Sequence, residues 1–165
     1  MENIFIQHDI KTSRAVRAVC GCALPPITSL APELLAGADH ICLVTDRTCL
    51  KTFGKEFKKM LGRRQGGVDI FVLPAGRKAK TFSTLEGLLS FMFDRGFSRS
   101  SLLVAAGGGS VTDLAGLAAA LYMRGITWIS VPTTLLGQVD AGLGGKTAVD
   151  LAGVKNIAGA FTSPR

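Results

Sequence analysis

The chain has 165 residues, 47% apolar and 19% charged, which sets aside a disordered chain and supplies enough residues for one core. The net charge of +7 raises a nucleic-acid partner, but the basic residues (Arg14, Arg17, Lys55, Lys58, Lys59, Arg63, Arg64, Arg77, Lys78, Lys80) are dispersed. No aromatics interleave with them as a base-stacking platform requires, so they read as a basic surface, with no nucleic-acid partner. No apolar run reaches the roughly 18 residues of a membrane span. The opening MENIFIQHDIK lacks the basic-then-apolar order of a secretory signal, so no membrane partner is expected and the predicted compartment is the cytoplasm.

Along the chain, Asn3 to Gln7 and Ala15 to Cys20 read as an opening pair of antiparallel strands. Pro25-Pro26 suits a helix start, predicting a helix over Ile27 to Leu35. His40 to Thr45 is a short apolar strand. Leu50, Phe53, Phe57, Met60 and Leu61 then fall on one helical stripe, and Lys55 to Arg64 reads as its solvated face. Val68 to Leu73 is the next strand, closed by the turn Pro74-Ala75-Gly76. Ser83 with Glu86 predicts a capping box for a helix running to about Asp94. Leu102 to Ala106 is a buried strand, turned by Gly107-Gly108-Gly109 into a helix over Thr112 to Met123. Ile126 to Val131 is a further strand, and after Pro132 glycines interrupt the pattern with no strong strand. Strand and helix alternating at this spacing imply parallel βαβ units in one α/β domain spanning residues 1–165.

Cys20 and Cys22, and His40 and Cys42, stand two residues apart, which on strands puts each pair on one face. A zinc cluster is one reading; reduced, mostly buried cysteines are the favoured one.

The chemistry concentrates between Gly107 and Asn156. A strand that enters a helix through three glycines brings bare backbone close to a phosphate, at the positive end of the helix dipole. The bland alternative is a tight turn. Thr112 stands where the third glycine of a G-x-G-x-x-G would be, so the plain dinucleotide fingerprint does not fit. Asp113, in the first helical turn, reads either as a dipole carboxylate or as a ligand contact, and an acid so close to a phosphate site needs a compensating partner. Thr133 and Thr134 follow a strand and serve either as helix caps or as ligand contacts. Gly144-Gly145-Lys146-Thr147 is like the end of a P-loop, but Asp140 stands at the first glycine position, which excludes a P-loop NTPase.

Taken together, Gly107-Gly108-Gly109 with Asp113, Leu114 and Gly116, then Arg124-Gly125, then Val131-Pro132-Thr133-Thr134-Leu135-Leu136 resemble the 3-dehydroquinate synthase family. Gln138-Val139-Asp140, Gly144-Gly145-Lys146-Thr147 and Lys155-Asn156 continue the resemblance in order and spacing. Thr45-Asp46 and Pro74-x-Gly76-x-x-x-Lys80-x-x-x-Thr84 extend it more weakly upstream. It covers about residues 40 to 165, roughly the N-terminal half of such an enzyme.

The resemblance implies a Rossmann-like parallel-sheet nucleotide-binding domain without the family's C-terminal α-helical metal and substrate domain. It implies NAD-dependent conversion of 3-deoxy-D-arabino-heptulosonate 7-phosphate, a sugar acid phosphate, to 3-dehydroquinate with loss of phosphate. That step belongs to the shikimate pathway of aromatic amino-acid biosynthesis. By position, Asp46, Lys80, Gly108, Gly109, Ser110, Val111, Thr112, Asp113, Thr133, Thr134 and Lys155 are expected to hold NAD. Asp140, Lys146 and Asn156 are expected to meet both cofactor and substrate. Arg124 is expected to reach the substrate phosphate of a neighbouring subunit, so a homodimer is implied. The family's divalent metal, zinc or cobalt, is held by a glutamate and two histidines of the other half. His8 and His40 match neither histidine, so no metal ligand is expected in this chain, and the chain by itself is expected to be inactive.

Arg77 stands where the family usually has a glutamate that accepts hydrogen bonds from the adenosine end of the cofactor, which raises the possibility of a 2′-phosphate there. Thr48, Thr112 and Ala141-Gly142 are further departures. The alternatives are a related valiolone-type sugar-phosphate cyclase, an iron- or glycerol-dehydrogenase-like NAD oxidoreductase, and a non-catalytic NAD-binding module.

Overall fold

The computed structural model describes residues 4–8, 16–20, 26–62 and 67–165. Strands β1 (Ile4–His8) and β2 (Val16–Cys20) pair antiparallel, Ile4 opposite Cys20, as the sequence predicts. The helix expected over Ile27 to Leu35 is two short ones, α1 (Ile27–Leu30) and α2 (Pro32–Gly37). Pro32 has no N–H to extend the first and suits the first turn of the second.

Strands β3 (Ile41–Asp46), β4 (Asp69–Leu73), β5 (Leu102–Gly107) and β6 (Thr127–Pro132) form a parallel sheet ordered β4-β3-β5-β6. Helices α3 (Arg47–Leu61), α4 (Phe82–Asp94) and α5 (Gly109–Leu121) connect these strands in turn. β3 and β5 are neighbours although β4 lies between them in sequence. The chain therefore reverses its travel across the sheet there, and ligands of open α/β sheets bind outside the carboxyl ends at such a point.

The sheet is covered on both faces, which explains the unbroken apolar run in β5. Cys42, Val44, Leu103 and Ala105 pack with Leu85, Leu88 and Met92 of α4 and Leu114 of α5. Ile41, Leu43, Leu102 and Val104 pack with Phe57, Met60 and Leu61 of α3. Lys55, Lys58 and Lys59 lie exposed on α3, as the sequence predicts, while Arg63 and Arg64 lie outside the described residues.

Three local expectations are corrected. α4 is capped by Thr81, not by a Ser83–Glu86 box. The Thr81 hydroxyl accepts from the Thr84 N–H at 3.2 Å, and Ser83 and Glu86 are exposed inside the first turns. Thr81 still has extended backbone, the geometry a capping residue needs. α5 starts at Gly109 rather than Thr112. It ends at Leu121, after which Met123 and Arg124 (φ 48° and 66°) and Gly125 (φ 120°) turn the chain through left-handed backbone.

The third correction falls after Pro132. A short helix α6 (Leu135–Val139) leads to an antiparallel hairpin, β7 (Thr147–Leu151) and β8 (Val154–Ala160), where no strong strand was expected. Packing on α5 holds it: Thr147 and Val149 are buried. A Cβ on Gly116 of α5 would lie 2.5 Å from Thr147 Cγ2 and 3.0 Å from the Trp128 ring. That close approach requires glycine.

Cys42 is a core residue whose thiol burial pushes up to about 12, an inert group. The ring of His40 lies 5.1 Å from that of Phe97. Among the described residues no group of His, Cys, Asp and Glu could hold a metal ion. Cys22 and the side chains of His8 and Cys20 lie outside the described residues. No described helix is long and apolar enough to cross a membrane.

Candidate functional site

At the carboxyl end of β5 the three glycines do different work. A Cβ on Gly107 would lie 2.5 Å from Val111 Cγ2, so that glycine is required by packing within the fold. Gly108 and Gly109 face the segment after β6 instead: a Cβ on Gly108 would lie 3.2 Å from Thr134 Cγ2, and one on Gly109 3.6 Å from Ala141 Cβ. The N–H groups of Val111 and Thr112 donate to the Gly108 carbonyl at 2.9 and 3.2 Å, and no side chain caps α5. The N–H groups of Gly109 and Ser110 therefore head the helix at its positive end, the arrangement that takes up an anion. By contrast α3, α4 and α6 are capped by their own side chains, Asp46, Thr81 and Thr134.

Thr133 ties the end of β6 to this turn. Its N–H donates to the Gly107 carbonyl at 2.9 Å, and its hydroxyl lies 3.3 Å from Cys49 Sγ in α3. The Cys49 thiol is pushed up chiefly by burial. Thr134 and Asp46 both cap: the Thr134 hydroxyl accepts from Gly137 N–H at 3.1 Å and the Asp46 carboxylate from Cys49 N–H at 2.9 Å.

Beside the start of α5 lies a charged junction. Lys80, at 6% exposure, donates from Nζ to Asp113 Oδ2 at 2.5 Å and to Asn156 Oδ1 at 2.5 Å. The partner that Asp113 needs is therefore Lys80. Burial raises the Asp113 pKa, Lys80 pulls it down, and Asp140 and Asp150 add to the rise.

Sequence reasoning missed Asp150. Its Oδ2 accepts from Arg77 Nη2 at 2.7 Å and its Oδ1 from the Asn156 N–H at 2.9 Å. Those two donors, the Asn156 amide first, hold its carboxyl below the usual range. It sits in β7, where Thr147, Val149 and Leu151 alternate with Ala148 and Asp150, a short strand signal that sequence reasoning passed over. The Arg77 guanidinium is engaged by this carboxylate, which opposes the 2′-phosphate role considered for it.

The remaining candidates are not all gathered. Val111 and Thr112 are buried and their N–H groups are taken by the Gly108 carbonyl, so they shape the turn rather than face a ligand. Asp140, Lys146 and Lys155 are exposed on the segment after β6. Lys146 lies five residues along from Ala141, the neighbour of Gly109. It precedes the first residue of β7, whereas Asn156 lies level with Asp150, about four extended residues or roughly 13 Å away. Arg124 follows the far end of α5, a helix length of about 20 Å from Gly109.

Residues 70–165 match the family model described as 3-dehydroquinate synthase N-terminal. The chain belongs to this family. The 3-dehydroquinate synthase of Alkaliphilus metalliredigens is 42% identical over 131 residues, 79% of this chain and 36% of that protein. The chain thus spans about a third of the length of the curated relatives it matches. A 2-deoxy-scyllo-inosose synthase, solved with carbaglucose-6-phosphate, NAD+ and Co2+, superposes with a TM-score of 0.75 at 27% identity. That match covers 98% of this chain and 43% of the other. The 2-epi-5-epi-valiolone synthase of Streptomyces hygroscopicus subsp. jinggangensis, with NAD+ and Zn2+ bound, gives 0.67 at 29% identity, over 90% of this chain and 43% of that one. Membership of the 3-dehydroquinate synthase N-terminal family and the Rossmann-like α/β fold expected from the sequence are both borne out.

Proposed function

We propose that residues 1–165 form the NAD-binding domain of a 3-dehydroquinate synthase, acting on the sugar acid phosphate 3-deoxy-D-arabino-heptulosonate 7-phosphate in the cytoplasm. The observation that carries this reading is the uncapped start of α5 beside the Lys80–Asp113–Asn156 junction, at the reversal point of the sheet. A dinucleotide fits these residues. Gly108 and Gly109 present no Cβ, the Gly109 and Ser110 N–H groups are placed to donate to a diphosphate, and Lys80 supplies a cation. Asp46, Thr133, Thr134 and Lys155 complete the proposed NAD contacts, with Ser110 offering its backbone N–H and Val111 and Thr112 shaping the turn through their bonds to the Gly108 carbonyl.

When bound, NAD supplies reversible removal of a hydride from a secondary alcohol. The chain's own residues then do the rest. Asn156 orients the substrate hydroxyls, and its side-chain oxygen is already fixed by Lys80. Lys146 is placed to stabilise a developing oxyanion and Asp140 to meet the same centre. Arg124, a helix length away, is assigned to the substrate phosphate of a neighbouring subunit in a homodimer. A divalent metal does not fit the described residues, so its ligands are assigned elsewhere and turnover is proposed to require them. Titration of the protein with NAD and NADP by calorimetry tests the reading. NAD uptake with weaker or no NADP uptake supports it, and no uptake of either overturns it.

A further inference from the structure

Asp150 joins three pieces of chain that no single element holds together. Its Oδ2 accepts from Arg77 Nη2 at 2.7 Å, its Oδ1 accepts from the Asn156 N–H at 2.9 Å, and its own N–H donates to the Lys80 carbonyl at 2.9 Å. Asn156 has φ 54°, left-handed backbone that asparagine adopts more readily than other non-glycine residues. Ala152 in the preceding turn is left-handed too (φ 51°). In that conformation the Asn156 side-chain oxygen reaches Lys80 Nζ. Its backbone N–H is thus held by Asp150 while its side chain holds the ammonium that also pairs with Asp113.

An exposed Arg–Asp pair is worth little as a pair. Half of the Arg77 side chain is in water, so ion pairing by itself does not explain the arrangement. Arg77 engages one carboxylate oxygen, and that leaves the other aimed at the Asn156 N–H. We propose that Arg77 and Asp150 form a positioning clamp that acts through Asn156 on Lys80 and touches no ligand itself. Its functional readout rests on the NAD-binding reading above.

The test uses the full chain as wild type, Arg77→Ala, Asp150→Ala, Asp150→Asn and the double variant Arg77→Ala/Asp150→Ala. Two quantities are measured: the backbone amide resonance of Asn156 without cofactor, and the Kd for NAD and for NADP. Asp150→Ala weakens NAD by about 3- to 10-fold, within the range of couplings between contacting residues. Asp150→Asn recovers only part of that loss, because its single amide oxygen accepts from Arg77 or from the Asn156 N–H but not from both. Arg77→Ala weakens NAD by about threefold in the native background, by nothing further beside Asp150→Ala, and shifts the Asn156 amide only where Asp150 is present. Equal effects of Arg77→Ala in both backgrounds overturn the clamp. So does an Asp150→Asn variant that binds NAD as tightly as wild type, or a loss confined to NADP. If Asp150→Ala fails to fold, Arg77→Ala and Asp150→Asn decide: an unmoved Asn156 amide in Arg77→Ala overturns the clamp. If the wild type takes up no NAD, the NAD reading fails while the amide pattern still decides the clamp.

Discussion

Asp39 at the amino end of the parallel sheet and Asp113 and Asp150 at its carboxyl end are partnered in opposite ways. At the amino end, Asp39 accepts from the hydroxyls of Ser98 and Ser101 and from the His40 N–H, so every donor is neutral and local to the strand starts. At the carboxyl end, Asp113 and Asp150 meet Lys80, Arg77 and the Asn156 amide, and the helix beside them begins without a cap. The first arrangement is closed on itself and ties β3 to β5. The second holds charge next to free backbone donors, which serves a ligand rather than the fold. Hydrogen bonding of a carboxylate is thus no mark of function; what its neighbours leave unsatisfied is.

Substitutions at the two ends sharpen that contrast. Lys80→Ala has the largest expected effect, since it strands a part-buried carboxylate: NAD binding weakens by at least about 30-fold in calorimetry. Gly116→Ala comes next. Its methyl collides with Thr147 and Trp128, costing about 1–3 kcal/mol in urea unfolding and loosening the hairpin that carries Asp150. Gly109→Ala and Asp39→Ala form a crossed pair. The first has room for its methyl, so stability stays within about 0.5 kcal/mol while NAD binding falls about tenfold. The second costs about 1–2 kcal/mol of stability and leaves NAD binding unchanged.

The smallest expected effect is in pH dependence. The folded Asp113 pKa is raised, so its contribution to stability is full below the ordinary carboxylate pKa and lost as pH rises through the folded value. For Asp150 the folded value is lowered, so its contribution is present above the ordinary pKa and lost as pH falls through the folded one. Urea midpoints from pH 3 to pH 7 should therefore rise for Asp113→Asn relative to wild type as pH increases, and fall for Asp150→Asn.

The sheet was legible because its signals are local: an apolar run, three glycines, then a helix. Asp113 was legible as an acid in want of a partner, but Lys80 lies 33 positions from it, and Lys80 lies 76 from Asn156. Spacing alone cannot show such a meeting; the resemblance to the 3-dehydroquinate synthase family is what brought those residues into one list. The hairpin of β7 and β8 was hard to read because Gly153, Gly159, Lys155 and Asp150 interrupt the short alternation of Thr147, Val149 and Leu151, and packing on Gly116 of α5 secures the strands. Asp150 was lost with it.

A crystal structure of the protein with NAD tests the central claim most directly. The account predicts diphosphate oxygens within hydrogen-bonding distance of the Gly109 and Ser110 amides, with Lys80 still paired to Asp113. A diphosphate seated away from the start of α5 would contradict it.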